Sequence, residues 1–530
     1  MRRPFSGSGN KPASAGPRPL AWPMLWSALA GAAAVFAFAP FGYWPLQLLS
    51  LAWLFYQVGI DMSPKRATLL GWAYGFGWSV AAIHWLYIAM NRFGGMAGPL
   101  AALAVCLMGA YMGLFAALAT GVASWLRRRW SLPLMAFALV LLPLCWGLSE
   151  WVRGWLFTGF PWVVSGYAHT NGPLHGYAPV LGVYGTGALA ALCAATLTLL
   201  TQARRRIAAL AVLGVTVIGG LGLGQVAWTH AEGKPIKVRL LQGNVAQSEK
   251  FSPERVEASL KLFQDMVRAA PADLIATPET AIVLFPQQLP PDYLPSLHDF
   301  ARQSGSSLML GMPLADSETD YANSAVGVGP DGASAYRYDK HHLVPFGEFV
   351  PAGFRWFVDL MRIPLGDFHR GNAIQAPFVV KDQAILPNVC YEDLFGEEIA
   401  TQIRDGARPA TILLNVSNLA WYGESIAIAQ HLQISRMRSL ETGRPMLRAT
   451  NTGATAVIDG RGNIAAQLTP YTRGTLAYDV QGMAGNTPYI LCGNFLFLGL
   501  AALGLTGAWF SGRKYRAARA KSDILATSSP

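Results

Sequence analysis

The stretch AILPNVCYEDLF, residues 384–395, passes from an apolar, partly β-branched run, Ala384 to Val389, through a cysteine into a helix-like segment that opens on two acids. A strand running into a helix is half of a layered α/β unit, and ligands in such layers meet the C-terminal ends of strands. Cys390 stands at one of these ends. The neighbouring carboxylates of Glu392 and Asp393 disfavour a thiolate. A thiol here therefore stays protonated until a partner removes its proton, while the N–H dipoles of a following helix would favour negative charge.

The same alternation extends over residues 229–487. Short apolar runs at Val238 to Leu241, Asp273 to Thr277, Ser307 to Leu310, Thr411 to Val416 and Ala454 to Ile458 are separated by polar stretches. Helical periodicity marks Pro253 to Ala269, Tyr293 to Ser304 and Glu424 to Thr442. These alternations predict one α/β domain of roughly 250 residues.

The rest of the chain is of another kind. Overall the sequence is 52% hydrophobic and only 13% charged, too apolar for an ordinary soluble protein. Apolar stretches at residues 20–38, 45–60, 67–90, 97–125, 132–150, 177–202, 207–228 and 488–511 predict about eight transmembrane helices, the second being the shortest. The alternate short loops and the two ends hold 17 basic residues, against Arg92 and Arg153 in the opposite loops. That bias puts both termini in the cytoplasm and residues 229–487 outside. Arg2, Arg3 and the Ala37-Phe38-Ala39 triplet resemble a signal peptide, but Pro40 and the spans that follow favour an uncleaved anchor.

The net charge of +11 is a topology signal, because the outside region carries 22 basic and 27 acidic residues. No nucleic-acid footprint follows from it. Four cysteines, Cys106, Cys145, Cys193 and Cys492, fall in spans, so Cys390 has no partner for a disulfide in the outside region. No dinucleotide or phosphate-loop motif occurs, and His341 and His342 lack companions at metal-ligand spacing; the expectation is no cofactor and no metal. Ionisable residues inside the spans reduce to His84, which argues against an ion pathway.

A thiol nucleophile needs a base and a cationic or N–H group to hold the developing oxyanion. Glu279, after the run Asp273 to Pro278, and Lys340, after the extended run Ala335 to Asp339, supply those groups at other strand ends. Taken singly, each is ordinary: a strand-end glutamate is commonly a solvated cap and a loop lysine commonly idle.

Together, TPETA (277–281), YDKHHLVPFGEFVP (338–351) and NVCYEDLFGE (388–397) resemble the signatures of the nitrilase, or carbon-nitrogen hydrolase, superfamily in order and spacing. With the membrane mounting, and with QGNVAQS (242–248), YANSA (321–325) and NVSNLAWYGES (415–425), the chain resembles the bacterial apolipoprotein N-acyltransferase family over nearly its whole length. The resemblance implies an αββα sandwich with Glu279 as general base, Lys340 as oxyanion stabiliser and Cys390 as nucleophile. It further implies Glu348 orienting Lys340, Tyr391 and Glu392 shaping the pocket, and Asn323 and Asn415 in support. Phe251 stands where relatives often carry tryptophan.

Implied partners are a phospholipid acyl donor, typically phosphatidylethanolamine giving its sn-1 chain, and a diacylglyceryl apolipoprotein acceptor. The expected setting is the bacterial inner membrane, with a monomer as the working unit. The expected division is a cytoplasmic tail at 1–19, about seven helices over 20–228, a periplasmic catalytic domain at 229–487, a last helix at 488–511 and a basic cytoplasmic tail at 512–530. The large apolar groups Phe346, Phe349, Phe354, Trp356, Phe357, Leu360, Met361 and Ile363 suggest a lipid-facing arm, and the family resemblance implies a second at Trp421 and Tyr422. The alternative is a membrane-anchored amidase or nitrilase, which differs only in letting water resolve the acyl-enzyme.

Overall fold

The computed structural model describes residues 20–60, 63–250, 252–317, 320–332, 336–351, 353–355 and 368–527. Phe251 and, in the expected arm, Trp356, Phe357, Leu360, Met361 and Ile363 lie outside the described residues.

Residues 236–480 form two six-stranded sheets packed face to face. One has the order Gly474–Val480, Ile236–Gln242, Leu274–Ala276, Ser307–Ala315, Tyr321–Val328, Tyr336–Asp339. The other runs Ile464–Gln467, Ala456–Ile458, Met446–Thr450, Ile412–Ser417, Gln383–Val389, Phe378–Val380. The period of two along each strand sorts side chains between layers. Ile236, Val238 and Leu240 meet Ile412, Leu414 and Val416 in the core between the sheets. Leu241, by contrast, faces the helices Pro253–Arg268 and Tyr293–Ser304, and Leu413 faces Gly396–Asp405 and Ala427–Thr442. Helix, sheet, sheet, helix is the expected sandwich. Both faces of the parallel strands are covered, which explains why they read as continuous apolar runs.

Among the described residues, five helices are long and apolar enough to cross a membrane: Gly98–Trp130, Leu134–Arg153, His175–Leu199, Ala203–Leu223 and Phe495–Ala518. The other three expected spans fall on Ala21–Ala33, which continues as a 3-10 turn to Ala37, on Trp44–Ile60 and on Pro64–Ile83. Small residues let these helices approach closely. A Cβ on Gly75 would stand 2.8 Å from the Cα of Gly113.

The helix of the last expected span runs on into the basic tail: after a short helix, Pro488–Cys492, and a break at Gly493 (φ 52°), one helix extends from Phe495 to Thr527. The Ala-, Arg- and Lys-rich segment after Gly512 consists of strong helix formers and holds no Gly or Pro to stop it. The bundle is also more polar inside than expected. His84 is exposed, whereas Glu150 and Arg153 are both buried in the helix Leu142–Arg153. The Glu150 carboxylate accepts the N–H and the hydroxyl of Ser165 at 2.9 and 2.8 Å, and Arg153 donates to the carbonyl of Trp162 at 3.3 Å. Burial of these groups is compatible with folding because the loop 160–165 satisfies part of their hydrogen-bonding capacity.

The bundle and the sandwich share a core. Tyr391, Leu394, Phe395, Ile434 and Met437 from the sandwich pack in one cluster with Trp146, Trp162 and Tyr184.

Candidate active site

Strands from both sheets end at one place. Gln383–Val389 lies parallel to Ile412–Ser417, which lies parallel to Met446–Thr450, so Cys390 and Asn418 emerge side by side. From the facing sheet, Glu279 follows Leu274–Ala276 by three residues and Lys340 follows Tyr336–Asp339 directly.

Past Val389 the backbone turns sharply, with Cys390 at φ 53°. A non-glycine residue in that region is uncommon and costs about 1–3 kcal/mol, so its surroundings must hold it there. Glu392 does part of this. Its carboxylate accepts the N–H groups of Val389 (2.5 Å), His341 (2.7 Å) and His342 (3.2 Å) and the hydroxyl of Tyr338 (3.1 Å). Tyr391 is buried, and its hydroxyl donates to the carbonyl of Gly159 in a membrane-domain loop at 2.8 Å. Both residues thus brace the turn. Asp393 points elsewhere, to Arg448 at 2.9 Å. The acids that flank the thiol in sequence are therefore drawn off it. The α-helix expected to begin beside Cys390 starts only at Gly396, after a 3-10 turn over Cys390–Leu394, so the N–H groups that follow the thiol directly belong to that turn.

The partners of the thiol form a compact, buried set. Lys340, 1% exposed, lies 2.9 Å from Glu348 and 3.5 Å from Glu279. Asn323 donates to both carboxylates, at 2.8 Å to Glu279 and 2.9 Å to Glu348. Glu348 also accepts the N–H of Val344 at 2.9 Å. The second oxygen of Glu279 accepts the N–H of Asn418 at 2.8 Å. Asn415 donates to the carbonyl of Cys390 at 3.2 Å. Glu279, Lys340, Cys390, Glu348, Asn323 and Asn415, singled out from sequence, thus come together.

Burial, and next the charge of Glu279, push the Cys390 thiol up to about 12, although Lys340 pulls the other way. Burial works against the Lys340 ammonium, but Glu348 and then Glu279 outweigh it and hold it well above the usual lysine value. At neutral pH the site therefore holds a protonated thiol beside a fixed cation. That arrangement suits proton transfer to a carboxylate during attack rather than a standing thiolate.

Two groups escaped the sequence reading. The Asn418 amide is invisible in a sequence because it acts through its backbone. Lys250 carries no motif that singles it out in the sequence, yet it is buried, with Nζ 3.0 Å from the carbonyl of Glu279 and 2.5 Å from the Thr280 hydroxyl. Burial brings it down to about 8 against the opposing charge of Glu279.

The expected second aromatic arm divides. Trp421 is 41% exposed and meets Phe93 edge-on at 5.8 Å, whereas Tyr422 is anchored against Trp85 of the bundle at 4.4 Å. Phe346 and Phe354, 38% and 47% exposed, meet edge-on at 5.4 Å. His341 and His342 are structural: the first bonds the carbonyl of Gly371, and the second bridges Glu398 and the carbonyl of Thr158. Among the described residues no group of three metal-ligating side chains occurs.

Residues 237–489 match the carbon-nitrogen hydrolase family, and residues 30–196 match the apolipoprotein N-acyltransferase N-terminal domain. The apolipoprotein N-acyltransferase of Ralstonia nicotianae is 51% identical over 494 residues, covering 93% of this chain and 94% of its own. The chain belongs to the apolipoprotein N-acyltransferase family. Apolipoprotein N-acyltransferases of Nitrosomonas europaea and Bordetella bronchiseptica are each 43% identical, covering 91% and 95% of this chain and 97% and 99% of their own. Membership makes the chain an acyltransferase of the carbon-nitrogen hydrolase superfamily, with several membrane-length helices beside its hydrolase-fold domain.

Proposed function

We propose that the enzyme moves an acyl chain, typically from sn-1 of phosphatidylethanolamine, through a thioester on Cys390 to the N-terminal α-amine of a diacylglyceryl-cysteine apolipoprotein. The observation that carries this reading is the half-buried thiol of Cys390 set beside the buried Lys340 and Glu279 at the joined ends of two sheets.

The sulfur attacks the ester carbonyl while Glu279 takes the thiol proton. The oxyanion is held by Lys340 and by a backbone N–H beside Cys390. Collapse breaks the ester C–O bond, and Glu279 returns the proton to the departing lysophospholipid hydroxyl. The acceptor amine then attacks the thioester and gives its proton to Glu279. As the C–S bond breaks, the thiolate regains that proton and the amide departs. Glu348 and Asn323 keep Lys340 and Glu279 oriented, and Trp421, Phe346 and Phe354 line the lipid's approach. No cofactor is needed.

A phospholipid leaves the bilayer reluctantly, since each buried CH₂ is worth about 0.8 kcal/mol, so the thiol is mounted at the membrane surface. In this reading eight helices cross the inner membrane, seven within 20–228 and one beginning near 488. Residues 229–487 lie in the periplasm, both termini are cytoplasmic and the enzyme acts as a monomer. The basic loops support that orientation.

Initial rates measured over a grid of phospholipid and acceptor concentrations test the reading. Parallel double-reciprocal lines are expected of a shared covalent intermediate, and intersecting lines would reject it.

A further inference from the structure

We infer that His431 is a positioning residue for the acylation step: its neutral ring, donating through Nε2–H, holds the carbonyl of Cys390 and thereby aims the N–H that follows the nucleophile. The inference rests on the reading of Cys390 as nucleophile.

His431 projects from the helix Ala427–Thr442 and is 1% exposed. Its Nε2 lies 3.2 Å from the carbonyl oxygen of Cys390, and its Nδ1 lies 2.8 Å from a terminal nitrogen of Arg448. A guanidinium only donates, so Nδ1 must accept and the ring proton must sit on Nε2, facing the carbonyl. Arg448 is itself held by Asp393 at 2.9 Å. Burial, and then the charge of Arg448, keep the ring well below the ordinary histidine value.

The plane of the ring is set from the membrane side. Trp162 stacks on it with centroids 5.7 Å apart and planes 27° apart. Trp162 in turn donates to Gln430 at 2.8 Å, where Trp85 also donates at 3.1 Å. The Trp162 carbonyl accepts from Arg153, so a loop of the bundle fixes a ring that touches the nucleophile's backbone.

The consequence is chemical. In a planar trans peptide the C=O and the next N–H point in opposite directions, so holding the carbonyl of Cys390 sets the direction of the Tyr391 N–H. Cys390 is in the left-handed region, which it would leave if released. Asn415 is the other side-chain donor recorded on this carbonyl, and it divides its amide with Asn388 at 2.7 Å. An oxyanion donor is useful only when it lies about 2.7–3.1 Å from where the oxyanion develops, so its placement must hold to a few tenths of an ångström. His431 supplies that accuracy, and Trp162 makes the membrane bundle part of it.

The test uses full-length enzyme in nanodiscs and follows lysophospholipid release during acylation. His431→Gln places an amide N–H where Nε2 was, His431→Asn reaches only the Nδ1 position, and His431→Leu keeps bulk without a donor. Leu and Asn are expected to slow acylation about 100-fold with KM for phospholipid unchanged, and Gln to recover most of that loss. Should His431→Leu fail to fold, the comparison of Gln with Asn decides. Wild-type acylation by the Leu or Asn variant, or equal losses in Gln and Asn, would overturn the inference. Transfer by Cys390→Ala would instead overturn the nucleophile itself, whereas an inert Cys390→Ala beside a fully active His431→Leu would remove only the role of His431.

Discussion

Lys340 stands 2.9 Å from Glu348 but 3.5 Å from Glu279. The nearer carboxylate is the larger of the two charges that keep Lys340 protonated, and Glu279 is the second. Glu348→Gln removes that anchor and draws Lys340 onto Glu279. Acylation is expected to fall about 100-fold, the scale of a misplaced reacting group, with little change in KM. Stopped-flow release of lysophospholipid measures it; an unchanged rate would mean that Glu348 is a bystander.

Glu279→Gln separates thiol acidity from catalysis. Its negative charge helps to keep Cys390 near 12, so removing it favours the thiolate and moves the pKa down. Alkylation of Cys390 by iodoacetamide, followed against pH, should shift to lower pH in the variant. Transfer should nevertheless fall by about 10²–10⁴, the usual share of a general base. An upward shift of the alkylation profile would contradict the electrostatics.

Asp393 and Arg448 form a fully buried pair. Breaking it by Asp393→Asn leaves an uncompensated buried cation and should cost about 3–5 kcal/mol, read as a lower Tm in detergent. Removing the exposed Lys261 from its pair with Asp265 should change stability by less than about 1 kcal/mol. Equal effects would show that burial does not set the worth of these pairs.

Phe346 and Phe354 are exposed where a lipid would approach. Replacing both with alanine should raise KM for long-chain phospholipid about tenfold or more, since an aromatic side chain contributes ~1.5–3 kcal/mol on burial. A short-chain donor should be affected less. Equal increases for both donors would exclude contact with the acyl chain.

Much of the fold was legible in the sequence. Runs such as Ala384 to Val389 are buried on both faces in a parallel sheet, and the three motifs carry residues whose chemistry names their partners. Other strands were not legible. Met446–Thr450 holds the buried Arg448, and Gly474–Val480 lies at a sheet edge with Ala477, Tyr478 and Asp479 exposed, so neither reads as an apolar run. Glu150 was overlooked at the end of an expected span and Arg153 was placed in the loop after it, because the sequence does not show that the helix continues to Arg153 with both residues on a buried face. Asn418, Lys250 and His431 matter through backbone atoms and through the ends of distant elements, which spacing does not reveal. Even the two acids beside Cys390, which looked like brakes on the thiol, prove to be ties to Arg448 and to backbone N–H groups.

The central claim is a covalent acyl-enzyme on Cys390, and intact-mass analysis after incubation with a phospholipid of defined chains tests it most directly. The account predicts a mass increase of one acyl group, absent in Cys390→Ala, stable in buffer and discharged when a diacylglyceryl-cysteine peptide is added. Loss of the adduct to water as fast as to the peptide, or transfer by the alanine variant, would contradict it.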